Sequence, residues 1–133
     1  MSPTFIAVGT GTWVIAAVIP KYLSQRLAQQ HQLMEEFMSM LERGDFRQNR
    51  DIGYYADKLC VTSKYLSEVC KKVSGLPAAF WITRYTALDI SRLLRDCSLS
   101  FTDISDMFGF SSLSHFSRYV QTNLGAKPSH FRE

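Results

Sequence analysis

The chain has 133 residues, 46% of them hydrophobic, and a formal net charge of +3. That length fits one domain, or a small domain with an extension, with enough apolar residues for a real core. Cys60, Cys70 and Cys97 form no CxxC pair and have no histidine at ligand spacing, which argues against a disulfide framework or a zinc site.

Residues 1–19 form an apolar segment without charge, broken by Gly9, Thr10, Gly11 and Thr12. No basic residue precedes Lys21, so a signal peptide is not expected. The run is short and rich in Gly and Thr for a membrane span. It reads as packed structure or a remnant of an upstream domain, and its pattern does not decide between strand and helix.

A helix is expected over 20–43, with Pro20 in its first turn. Leu23, Leu27, Gln30, Met34, Phe37 and Leu41 recur at spacings of 4, 3, 4, 3 and 4. That is a heptad seam with one polar position, Gln30. It has two readings: packing on its own chain, or a dimerisation surface between two copies.

Residues 44–133 hold twelve basic and nine acidic residues, against three of each in 1–43. All of the excess charge therefore falls here, a mild hint of an anionic partner. After a polar connector at 47–50, a first helix-turn-helix is predicted over 51–75. Asp51 is the expected cap of its first helix, whose apolar face is Ile52, Tyr55, Ala56 and Leu59. Cys60 and Val61 form the turn, and Thr62 caps a second helix closed by Gly75 and Pro77. Its inner face is Leu66, Val69, Cys70 and Val73, and its outer face carries Lys64, Tyr65, Ser67, Glu68, Lys71 and Lys72. Such a face suits a major groove, and it also suits plain solvent. The three cysteines, each in an apolar-periodic stretch, are expected to be buried.

A connector helix follows over 78–96, apolar around much of its circumference. At about 1.5 Å per residue it would span nearly 30 Å, close to the roughly 34 Å between successive major grooves. A second helix-turn-helix is predicted over 102–122. Thr102 is its expected cap, and Ser105 and Gly109 take the places of Ala56 and Cys60. Leu66 lies six residues after Cys60 and Phe116 seven after Gly109, so the second turn is one residue longer. Its reading helix starts near Ser112, and Gly125 and Pro128 end the unit.

The stretches KYLSEVCKKVSGLPAAFWI (64–82), RLLRDCSLSFTDISDMFGFSSLSHFSRYV (92–120) and LGAKPSHFRE (124–133) resemble the AraC/XylS-type DNA-binding domain. The resemblance covers about 44–133. It implies an all-α fold in which two helix-turn-helix subdomains are joined by a long connector helix, here preceded by an N-terminal helix. It implies a sequence-specific regulator of transcription with two recognition helices in adjacent major grooves of double-stranded DNA. The sequence leaves activator and repressor both open, and the cysteines fit a reducing cytoplasm. By position, Lys64, Ser67 and Glu68 of the first reading helix, and Ser114, His115 and Arg118 of the second, would address bases. Thr62, Lys71, Lys72 and Ser112 would hold phosphates. His115 has a second reading as a partly buried packing residue.

The chain departs from the family pattern at Thr86 and Asp89 of the connector and at Glu68, where basic residues are common. The Glu68 carboxylate could accept from cytosine but is repelled by phosphate. A homodimer through 20–43 is expected, with RNA polymerase as a candidate further partner and an effector-binding domain outside these residues. No cofactor, metal or catalytic group is expected. The alternative function is an interaction module that pairs with a full-length regulator through 20–43 without binding DNA.

Overall fold

A computed structural model describes residues 10–132, with side chains from residue 21 onward. The apolar segment before residue 10 lies outside the described residues. The described elements are helical throughout. They run as α1 (Thr10–Glu42), a 3-10 turn (Asp45–Arg47), α2 (Ile52–Lys58), α3 (Ser63–Ser74), α4 (Ala78–Leu94), α5 (Phe101–Met107), α6 (Leu113–Leu124) and a last 3-10 turn (Pro128–Arg132).

α1 starts ten residues before the expected position, so Pro20 lies in its interior rather than its first turn. An interior proline removes one ladder bond and crowds the carbonyl four residues earlier, yet the helix runs through it. No helix among the described residues is long and apolar enough to cross a membrane.

The heptad seam divides in two. Gln30, Met34, Phe37 and Leu41 are buried against this chain's own helices, α3 above all. Tyr22, Leu23 and Leu27 stand about half exposed. The lower part of the seam is therefore core and unavailable to a second copy, a correction to the reading of all six positions as a dimer surface. Periodicity marks which face of a helix is apolar but not what covers it. The packed unit consequently reaches back into α1, beyond residue 44.

The two helix-turn-helix units repeat each other closely. Ala56 and Ser105 are both buried, and their carbonyls accept from the Val61 and Phe110 amides, each at 3.0 Å. Thr62 caps α3 by accepting from the Tyr65 amide, and Ser112 caps α6 by accepting from the His115 amide. The cap comes two residues after Cys60 but three after Gly109, as the offset of Leu66 and Phe116 requires. α5 differs from expectation: Ser100, not Thr102, is its cap, in a reciprocal capping box with Asp103. Asp51 occupies the α2 cap position but makes no side-chain cap bond.

Between the units, α4 packs on α3 and α6. It ends at Leu94, two residues short of the sequence reading, and its 17 residues span about 25 Å. Leu88, part of the apolar circumference of α4, is 56% exposed. The C-terminal turn is tied back by Arg132, which donates to the carbonyls of Leu94, Asp96 and Leu99 and lies over the Phe101 ring.

Only Cys70 of the three cysteines is buried, and burial pushes its thiol up to about 11. Cys60 and Cys97 are exposed because each lies past a helix end, where the periodic face stops. Cys60 also has a left-handed backbone, φ +58, at the place where the second unit has Gly109 at φ +67. An L side chain there costs about 1–2 kcal/mol, partly offset by the greater unfolded freedom of glycine. Cys60→Gly is expected to raise stability by about 0.5–1 kcal/mol, read as a higher urea midpoint at unchanged slope.

Candidate nucleic-acid interface

Aligning the units on their caps places Lys64 with Ser114, Tyr65 with His115, Ser67 with Ser117, Glu68 with Arg118, and Lys71 with Gln121. Lys64, Glu68, Lys71, Lys72, Ser114, His115 and Arg118 are exposed, and Ser67 is half-buried. Both inner faces are closed: Leu66, Val69 and Cys70 on α3, Phe116 and Val120 on α6. What remains outward on each helix is a polar strip starting at a capped N-terminus. Free backbone N–H groups there favour an anion.

The two strips are not equivalent. α3 presents Lys64, Lys71 and Lys72 with Glu68 among them. α6 presents Ser114, His115, Arg118 and Gln121, bordered by a groove reaching Lys127 and Ser129. The Arg118 side chain makes no hydrogen bond or ion pair among the described residues. His115 is exposed rather than packed inside, although its ring meets the edge of Phe110 at 5.1 Å and its Nδ1 lies 3.3 Å from the Ser111 hydroxyl. The hydroxyls of Thr62 and Ser112 already accept from helix amides, which leaves each a proton to donate to a phosphate. Tyr65, 38% exposed, stands at the His115 position by this alignment, on the outward side of α3. The cap-to-cap register was the signal that could have found it.

The connector departures have structural roles. Thr86 is fully buried and donates to the Ile82 carbonyl at 2.7 Å. Asp89 is held by Arg47 at 2.7 Å and by Arg92 one turn along α4. Its charge is thus compensated within the chain and locks the first 3-10 turn to α4. Burial raises the Asp89 pKa, but the two guanidinium bonds outweigh it and hold the carboxyl below its ordinary value. A depressed folded pKa gives stability that is present above the unfolded pKa near 4 and lost as pH falls through the folded value. Asp89→Asn is therefore expected to be less stable at pH 7 and to lose less on acidification, measured by urea unfolding from pH 7 to 3.

Residues 55–133 match the helix-turn-helix domain family, well over half of the chain. The chain belongs to the AraC/XylS-type helix-turn-helix family. Among its relatives, the "virulence regulon transcriptional activator VirF" of Yersinia enterocolitica is 26% identical over 98 residues, 74% of this chain and 36% of that protein. The "probable transcription factor PqrA" of Proteus vulgaris is 27% identical over 82 residues, 62% of this chain and 67% of that protein. The chain thus spans about a third of the first relative's length. In fold, it is similar to the C-terminal domain of the two-component response regulator yesN from Fusobacterium nucleatum. That match has a TM-score of 0.66 at 23% identity and covers 75% of this chain and 97% of that domain. As an AraC-type helix-turn-helix domain, this chain is a DNA-binding domain of the transcription-regulator class.

Proposed function

We propose that the chain reads double-stranded DNA in a sequence-specific manner, with α3 and α6 in adjacent major grooves and α6 as the principal reader. The observation that carries this is the duplicated unit: two capped helices of 12 residues each, each with a closed inner face and an open polar one, on either side of a single packed connector. Lys64, Ser67 and Glu68, and Ser114, His115 and Arg118, are the proposed base contacts. Thr62, Lys71, Lys72 and Ser112 are the proposed phosphate contacts, together with helix N-terminal amides. The relative named as a transcriptional activator extends the proposal to activation, with RNA polymerase as a partner.

Fluorescence anisotropy on duplexes selected from a random pool tests this reading. Replacing Lys71 and Lys72 by alanine should weaken all duplexes similarly and lower the salt slope by about one per lysine. No binding to any duplex at low salt would sink the proposal.

A second element concerns self-association. Tyr22, Leu23 and Leu27, half exposed on the upper part of α1, continue the seam beyond the point where this chain covers it. They support a homodimer through that part of α1 alone. Sedimentation of Leu23→Ala/Leu27→Ala against the parent decides it, a monomeric parent being the negative result. If the dimer forms and no duplex binds, the interaction-module alternative takes the place of DNA reading.

A further inference from the structure

The residues that lead from α1 into α2 belong by sequence to the first unit, but several of their side chains end on the second. Gln48 Nε2 donates to the Met107 carbonyl at 2.9 Å, and its Oε1 lies 3.7 Å from where a Cβ on Gly109 would sit. Arg50 Nη1 donates to the Phe108 carbonyl at 2.6 Å and also to the Arg47 carbonyl at 3.2 Å. The Arg50 guanidinium stacks on Phe110, 4.4 Å from the ring centroid, and lies 5.8 Å from that of Tyr119.

Those targets form the turn that launches α6. The carbonyls of Met107 and Phe108 end α5, where no helical donor is left to reach them. The Phe110 ring touches three α6 residues: His115, Phe116 and Tyr119. Among the described residues no side chain donates to the matching carbonyls of the first unit, those of Lys58 and Leu59. The clamp is therefore not a general property of the repeated unit. It acts on the longer turn, the one with an extra residue to hold.

We propose that Gln48 and Arg50 are positioning residues of the second reading helix, fixing the 107–110 turn from which α6 presents His115 and Arg118 to DNA. The proposal rests on the reading of α6 as a DNA reader. A two-pronged arginine–guanine contact tolerates only a fraction of an ångström of misplacement. A turn free to shift would lose base discrimination before it lost phosphate attraction. Arg50 suits the task because its planar fork reaches a carbonyl while its face stacks on an aromatic ring, and lysine cannot do both.

The test uses the full chain, the variants Arg50→Lys and Gln48→Ala, and a duplex selected on the parent. Two derivative duplexes have the α3-proximal or the α6-proximal half scrambled. Arg50→Lys should bind the selected duplex about tenfold more weakly, and Gln48→Ala about threefold. Both should lose discrimination against the α6-half scramble while keeping it against the α3-half scramble.

Hydrogen exchange gives a readout without DNA. In Arg50→Lys the Phe110 amide, bonded to Ser105, should exchange about tenfold faster, with the matching Val61 amide, bonded to Ala56, unchanged. Parental discrimination in both halves with parental Phe110 exchange would overturn the inference. So would equal loosening of Phe110 and Val61, the signature of general destabilisation. Should the parent itself bind no duplex, DNA reading fails, and the Phe110–Val61 comparison still decides whether Arg50 holds the turn.

Discussion

Phe37→Ala lowers the unfolding free energy by about 3–5 kcal/mol, the usual cost of emptying a fully buried phenylalanine site. Phe37 has no exposed surface, and its ring meets the Tyr55 ring edge-on at 5.4 Å. Tyr55 is itself fully buried and spends its hydroxyl on the Asn49 carbonyl at 2.8 Å. Met34, Met40 and Leu41 belong to the same buried core. Domains of this size have about 5–15 kcal/mol in total. The loss would thus be a large share, visible as a lower urea midpoint for the whole helical signal. Leu27→Ala, on the same seam but half exposed, should change monomer stability by less than about 0.5 kcal/mol. The contrast separates the part of α1 that belongs to the domain from the part that leaves it. A Phe37→Ala loss under about 1 kcal/mol would contradict the placement of α1 in the core.

What the sequence revealed and what it concealed follow from the range of the interactions. Caps and turns are local, so α2 to α6 could be placed to within a few residues from Thr62, Ser112, Gly75, Gly109 and Gly125. The extra residue in the second turn was legible because Leu66 and Phe116 are large, apolar and fixed in phase with their helices. The clamp was not legible. Residues 47–50 carry no periodicity, and Gln48 and Arg50 find their partners 59 and 58 positions away. Asp89 read only as a departure from the basic residues common at its position, because its partner Arg47 lies 42 positions earlier. The seam of α1 was visible, but its division into a covered and an open part depends on where α3 lies, which no spacing encodes.

The second large effect concerns the one place where the two strips oppose each other in charge. Arg118 and Glu68 hold the same position after their caps, both exposed and without an internal partner among the described residues. Arg118→Ala should lose about 1–3 kcal/mol of preference at one base pair, as expected when a two-pronged guanine contact is removed. Arg118→Lys separates charge from geometry: the salt slope stays, because the cation stays, while the base preference falls, because an ammonium has no fork. A lysine variant with intact preference would reduce Arg118 to a phosphate contact. Glu68 is decided by the opposite sign. As a bystander repelled by phosphate, its replacement by alanine tightens every duplex, most strongly at low salt. As an acceptor from cytosine, the same change weakens the selected duplex and relaxes one position, leaving scrambled duplexes tighter or unchanged. In the first case sequence is read chiefly by α6, with α3 serving as a basic anchor through Lys64, Lys71 and Lys72. In the second both helices read, and the like-placed arginine and glutamate divide the two strands of chemistry between guanine and cytosine.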